Sequence, residues 1–446
     1  MSNRAGRDKF LMSQRCLGDT VSQAVRSGIG QLKQDLLLQN SFYIMLSTAL
    51  MGLLGFIFWI ICAHLFTARQ VGLATALISA TILISYSSLL GFNSTLVRFL
   101  PTSEHRDAEM SMALICVSAA ALVAAIGYVL IVPSVVPQLS YLRGNVGYAI
   151  AFVVLTVCSS VNLITDSVFI ALRSPQYNLL IDGVLQSSVK LALPVTLVGF
   201  GFFGLYASTG LASAVAVVLS VVFMWRVFQY RPRVEDVRMV LRKTWAYGAA
   251  SYLANLLNIV PILVLPLVVL KNLGAPAAGY YYVAFQVANL LYAVTYAIGQ
   301  SLFAEGSHDE DAFRSLARRS AWFQVVIITP AVIVLWLGAS ELLGIFGQGY
   351  GERSVGVLRA LIIAAPAVAL NVWISTLLRL TKQMVALIWS NVAYVVVMCG
   401  LAMVWVDRGL AWVGFAWLIG NVVSDVVGGI ALVVAGHGPR ILQRGG

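Results

Sequence analysis

Apolar runs of about 20 residues, the length needed to cross a bilayer core as a helix, recur along nearly the whole chain. No other feature restricts the fold so strongly. The 446 residues are 60% hydrophobic and 11% charged, against about 25% charged in a soluble domain. The chain therefore reads as an all-α polytopic membrane protein. Its net charge of +11 would suggest nucleic acid in a soluble protein. Here it fits Lys and Arg gathered on the cytoplasmic side, and no nucleic-acid partner is expected. Cys16, Cys62, Cys116, Cys158 and Cys399 are scattered without a CxxC spacing, so neither a disulfide framework nor a zinc site is indicated. The first apolar run starts after the basic arm and spans fully, which gives no sign of a cleavable signal peptide.

The runs predict twelve spans: 41–65, 72–98, 110–133, 146–172, 177–200, 203–226, 244–270, 279–303, 317–338, 355–378, 383–406 and 410–434. They divide the chain into a cytoplasmic arm (1–39), a first lobe (40–226), a basic linker (227–243), a second lobe (244–434) and a tail (435–446). In the arm, Leu17, Val21, Val25, Ile29, Leu32 and Leu36 recur at helical spacing. That suits an amphipathic helix on an anionic leaflet, and a solvated arm fits nearly as well. With the N-terminus inside, 22 of the 29 basic residues fall on the cytoplasmic side and only Arg69, Arg143, Lys271, Arg353 and Arg408 on the other. This favours a multi-pass cytoplasmic-membrane protein with both termini in the cytoplasm.

Val71-Gly72 aligns with Ala278-Gly279 at an offset of 207. Each pair opens a span after a polar turn, and each span ends in a charged loop. The copies open the second and eighth spans, an even offset of six, so the halves point the same way. That implies two six-helix lobes related by a pseudo-two-fold axis along the membrane normal. Amphipathic membrane helices also resemble one another without descent from a repeat.

The run VGLATALISATILISYSSLLGFNSTLVRFLP (71–101) resembles the second helix of the polysaccharide-export flippases. These form a branch of the multidrug/oligosaccharidyl-lipid/polysaccharide exporter superfamily. AGYYYVAFQVANLL (278–291) is similar to their eighth helix, and LLGIFGQGYGERSVGVLRALIIAAPAVALN (342–371) to their stretch between helices nine and ten. The likeness covers almost everything after the arm. It implies a V of two lobes and alternating access. It also implies an undecaprenyl-pyrophosphate-linked oligosaccharide as substrate, with the bilayer and envelope-assembly proteins such as a glycan polymerase as partners. No organic cofactor is expected; a coupling ion, H+ or Na+, is left open, because the first span carries no acid.

A sugar head cannot cross hydrocarbon unaided, since its hydroxyls and phosphates would lose their hydrogen bonds. The protein must supply a polar path, and spans with polar faces are candidates. In the eighth span Tyr282, Gln286, Asn289, Tyr296 and Gln300 fall on one face. Their amides can bond sugar hydroxyls and their rings can stack on sugar faces. The first copy offers Thr75, Ser79, Tyr86 and Asn93, and the seventh span Ser251, Asn255 and Asn258. A single residue of this kind is better explained by hydrogen bonding between helices; the whole eighth-span stripe argues for a cavity.

In the fifth span Asn178, Asp182, Gln186 and Lys190 recur every four residues, one polar rail if the helix is regular. Lys190 suits a pyrophosphate, or an ion pair with Asp166 or Asp182. Arg359 carries a guanidinium suited to phosphate but lies near enough to one interface to snorkel. Arg98 stands at the cytoplasmic mouth, where a substrate phosphate would enter, but is better read as an ordinary positive-inside anchor. Asp166, Asp182 and Asp425 are candidates for ion coupling or for helix packing. His64, His105, His308 and His437 lie far apart in the sequence and no phosphate-binding glycine loop occurs, so no enzymatic site is read. The rivals are a drug or small-molecule exporter of the same superfamily and a membrane glycosyltransferase, polymerase or ligase. The second would need more extramembrane chain than the loops provide.

Overall fold

Each predicted run is helical. The computed structural model describes the backbone of residues 36–233, 237–306 and 313–434; the arm before residue 36, linker residues 234–236, residues 307–312 and the tail from 435 lie outside the described residues. The first lobe holds α1 (Leu36–Leu65), α2 (Ala68–Ser88), α3 (Phe92–Phe99), α4 (Arg106–Val135), α5 (Val146–Ala171), α6 (176–197) and α7 (Gly201–Val227). The second holds α8 (Val237–Leu273), α9 (Ala275–Gly306), α10 (Phe313–Leu337), α11 (Val355–Leu380), α12 (Met384–Trp405) and α13 (Leu410–Val434).

Eleven helical stretches of the described chain are long and apolar enough to span a membrane, and one of them, Gln176–Val227, has 52 residues. A straight helix of that length would reach about 78 Å, more than twice a bilayer core. It reverses instead at the turn Val198–Phe200, where Gly201 has φ 59°. The bare Gly204 lies directly against the Leu197 carbonyl. With this stretch divided at the turn, the described residues hold twelve helical stretches of spanning length.

Two spans depart from regular helices. The predicted second span, 72–98, is two helices: Leu90 (φ 50°) and Gly91 (φ 86°) enter the left-handed region and separate α2 from α3. Such a break is tolerated inside a membrane only where neighbours satisfy the freed backbone, and here the Phe92 N–H donates to the Leu89 carbonyl at 2.8 Å. The start of α2 is fixed by a capping box. The Gln70 N–H donates to Thr67 Oγ1 at 3.3 Å and the Thr67 N–H to Gln70 Oε1 at 2.9 Å, which pairs two otherwise orphaned donors. The second departure is in α6, which is π-helical over Leu179–Gln186.

The lobes share one core at one end and have separate cores at the other. Phe58, Trp59, Val71 and Leu77 of the first lobe belong to the same buried cluster as Leu265, Tyr281, Val283 and Phe285 of the second. All lie toward the end that carries the turns 65–68 and 273–275. Toward the opposite end Leu89, Phe92, Ile164 and Val168 form a first-lobe cluster against which Tyr252 of α8 packs, and Leu302, Ile374 and Leu377 form one within the second lobe. The lobes are sealed at one end and packed loosely at the other, where the Tyr252 hydroxyl of α8 donates to the Ser87 carbonyl of α2 and the α9 face that carries Asn289, Val294 and Gln300 is exposed. At the loosely packed end the linker starts along the first lobe. Tyr230 and Ser111 share a hydroxyl–hydroxyl bond of 2.7 Å, and the Arg231 N–H donates to Asp107 Oδ2 at 3.3 Å. Burial pushes the Tyr230 hydroxyl above the usual tyrosine range.

Candidate functional site

The seal is built by the two helices that the repeat equates. A Cβ placed on Gly72 of α2 would overlap the Ala275 carbonyl oxygen, and one on Gly279 of α9 would overlap that of Ala68. Ala68 and Ala275, like Gly72 and Gly279, are 207 apart, so the contact is symmetric about the two-fold axis. Helices in lipid approach this closely only through small residues. Beside the glycines Trp59 packs on Tyr282 with ring centroids 4.7 Å apart, and Phe56 on Phe346 at 5.5 Å.

The eighth-span stripe is divided by this seal. Tyr282 is buried within it and is hydrogen-bonded to Gln286. Asn289 and Gln300 are exposed in the loosely packed half, with Tyr296 half-buried between them. There a cavity of about 270 Å³ is lined by Asn258, Tyr296, Gln300, Ser375, Thr376 and Arg379, and Asn371 closes it toward α13. Arg379 Nη2 donates to Asn255 Oδ1 at 3.1 Å. Three residues singled out in the sequence, Asn258, Tyr296 and Gln300, therefore line one cavity with Arg379, and a fourth, Asn255, holds its guanidinium. The Ser251 side chain lies outside the described residues.

Arg379 is the residue that sequence reasoning missed. In the last turn of its span it reads as one more cytoplasmic anchor. Its spacing from Asn371 and Ser375 at i−8 and i−4, one helix face, is the signal that could have found it. The grouping offers a planar cation for phosphate oxygens and amides, hydroxyls and a ring for sugar.

The first-lobe stripe does not form an equivalent wall. Thr75 and Ser79 are fully buried, and Thr75 Oγ1 donates to the Gly72 carbonyl of its own helix at 3.0 Å. Tyr86 packs against the first-lobe cluster. Asn93 stands beyond the break, with Oδ1 buried and unbonded. Polar side chains nearby tie helices together instead: Thr81 bonds Thr156 and Tyr206 at 3.2 Å each, and Ser160 donates to Ser85 at 3.0 Å.

The expected rail on α6 is not one face, because the π segment rotates its members apart. Asp182 turns to α5, accepting from Asn162 Nδ2 at 2.9 Å; Gln186 turns to α7, donating to Ser213 at 3.1 Å. Lys190 turns to α1, its Nζ 4.6 Å from the Phe58 ring centroid. It stands over an aromatic face and not against Asp166 or Asp182. Asn162 also donates to Asp166 Oδ1 at 3.3 Å, and Asn178 Nδ2 to the Asp166 carbonyl at 3.1 Å. One amide thus serves two carboxylates from different helices. In the second lobe Asp425 is buried, and neither carboxylate oxygen has a settled donor. Its neighbour Ser424 accepts from Asn371 at 2.8 Å and bonds Ser390 at 2.8 Å.

Arg359 lies outside the cavity, its Cζ 4.6 Å over the Trp336 ring of α10. Arg98 is exposed at the end of α3, 5.7 Å over Phe99.

A family model described as polysaccharide biosynthesis protein matches residues 61–355. Among solved structures the fold is shared with a multidrug resistance MATE family transporter of the MOP superfamily. In its inward-facing conformation the TM-score is 0.66 at 15% identity, over 86% of this chain and 94% of that one. In an outward-facing conformation of such a transporter the score is 0.60 at 16% identity, over 92% and 96%. The lipid II flippase MurJ, inward closed, scores 0.69 at 11% identity, over 88% of this chain and 87% of that one. No curated protein matches the sequence.

Proposed function

The chain belongs to the polysaccharide biosynthesis protein family, and from that premise we propose that it is a non-enzymatic transporter turning a lipid-linked glycan precursor across the cytoplasmic membrane by alternating access. The observation that carries the reading is the polar second-lobe cavity lined by Arg379 at the loosely packed end. A guanidinium held by Asn255 and flanked by Asn258, Tyr296, Gln300, Ser375 and Thr376 suits a phosphate with sugar attached. The bias of basic residues supports a cytoplasmic position for the loosely packed end, where such precursors are made. In this state the head enters from the cytoplasm while Gly72 and Gly279 close the far side.

The energy source in this reading is a proton or small cation at the Asn162–Asp166–Asp182 cluster. Two carboxylates served by one amide repel each other unless a positive charge joins them. Movement of α5 against α6 at the π segment would then follow its arrival. Asp425 is a second place for such a charge.

The test is depletion of the protein in cells that depend on it for surface glycan. Precursor trapped in the inner leaflet supports the reading, as does the same phenotype in Arg379→Ala at normal membrane abundance. Normal delivery to the outer leaflet in the deletion strain, with no second flippase present, sinks it. Loss of drug resistance with intact surface glycan would instead favour a small-molecule exporter.

A further inference from the structure

A second space, larger than the Arg379 cavity and of opposite character, lies at the sealed end between the lobes. It is a groove of about 720 Å³ between α4 and α8, with Gly127, Tyr128 and Ile131 on one wall and Val264, Leu267 and Lys271 on the other. Its rim faces lipid: Ile131 is 64% exposed, and Met403 at the edge 58%. Its depth comes from a missing side chain, since a Cβ on Gly127 would meet nothing within 4 Å. At the end of the groove the turn Pro137–Leu139 crosses to α8, and Gln138 Nε2 donates to the Lys271 carbonyl at 3.2 Å.

The polar groups of this groove are donors without an anion. Lys271 is its one charged residue, and no acid lines it. The Tyr128 hydroxyl is buried with no hydrogen-bond partner, whereas Asn272 spends its N–H on the Val268 carbonyl at 2.8 Å. Lys271 also stands on the side of the chain that holds only five basic residues, so it breaks the charge pattern of the membrane. A long hydrocarbon chain ending in a phosphate matches this layout. The chain fills the apolar walls and the phosphate meets the ammonium at the interface.

We propose that the α4–α8 groove seats the hydrocarbon tail of the lipid carrier in the outer leaflet, with its phosphate on Lys271. The proposal rests on the transport reading, which supplies the carrier. One wall belongs to each lobe, so the groove changes shape when the lobes move. A tail held there couples release of the carrier to opening of the seal.

The experiment is native mass spectrometry of the purified full chain with undecaprenyl phosphate, in competition with phosphatidylglycerol. The expected result is retention of undecaprenyl phosphate by the wild type. It should fall about tenfold in Lys271→Ala, as loss of one charge-assisted contact implies, and by a similar factor in Gly127→Phe. Gly127→Phe projects into open space, and the exposed Lys271→Ala variant tests the same site without altering packing. Gel filtration checks that both are folded. Unchanged retention in both folded variants overturns the groove, and so does displacement by equimolar phosphatidylglycerol, which would make it ordinary lipid contact. Because binding is read directly, either result leaves the transport reading standing. That reading falls separately, on normal precursor delivery in the deletion strain.

Discussion

Gly72 and Gly279 lie face to face across the two lobes, so close that a Cβ on Gly72 would come within 2.8 Å of the Gly279 nitrogen. They are equivalent positions of the repeat, and each faces the other copy's alanine. The atoms a side chain would strike belong to backbone and cannot rotate aside. Gly72→Val or Gly279→Val should therefore disfavour the sealed state. Overpacking costs about 1–3 kcal/mol, and each 1.4 kcal/mol is about tenfold in an equilibrium. Spin-label distances across the sealed end should lengthen, and precursor delivery should fall about tenfold or more. Distances and delivery like those of the wild type would show that the contact is not the gate.

Arg379→Ala should lower precursor delivery by about tenfold or more, since hydrogen bonds to a charged group contribute about 1.5–3 kcal/mol. Arg379→Lys should recover only part of it, because an ammonium lacks the planar fork. Asn255→Ala should fall between, as it removes only the group that orients the guanidinium. The ordering is read from lipid-linked sugar trapped in inverted vesicles, normalised to membrane abundance. Equal delivery by all three variants would return these residues to helix packing.

Much of the fold was legible because lipid imposes it. An apolar run long enough to cross must be helical, and the split of basic residues then sets the alternation. What periodicity could not see was departure from 3.6 residues per turn. Asn178, Asp182, Gln186 and Lys190 share a face only if α6 is regular, and the π segment at Leu179–Gln186 sends them to three different helices. The second span likewise reads as continuous, because Leu90 and Gly91 are apolar and small and carry no sign of a reversal in φ. The candidate site was half legible. Asn258, Tyr296 and Gln300 stand out in the sequence by polarity on a membrane face, which is costly without a use. Arg379 was hidden by its place near the interface, where an arginine needs no explanation.

Asp182→Asn should uncouple transport from its driving ion. The amide preserves the shape of the cluster and the bond to Asn162 can be remade, but no second negative charge is left to draw a cation between α5 and α6. Delivery in vesicles should lose its response to an imposed pH or sodium gradient, while binding of precursor at the Arg379 cavity stays within about twofold, because separated sites act independently. Asp166→Asn should behave the same way. A gradient response retained in both would move the coupling site elsewhere, with Asp425→Asn as the next variant to measure.

Arg359→Ala separates two uses of a membrane arginine. A phosphate contact would make its loss as damaging as that of Arg379. The position of its Cζ, 4.6 Å over the Trp336 ring and away from the cavity, argues that it joins α11 to α10. A cation–π contact contributes about 0.5–2 kcal/mol depending on burial. Arg359→Ala and Trp336→Ala should therefore lower the melting temperature of the purified protein by similar amounts. The double variant should be little worse than either, because both remove the same contact. Delivery should stay close to wild type in all three. A tenfold loss of delivery in Arg359→Ala with an unchanged melting temperature would give this arginine a role in transport that its packing does not explain.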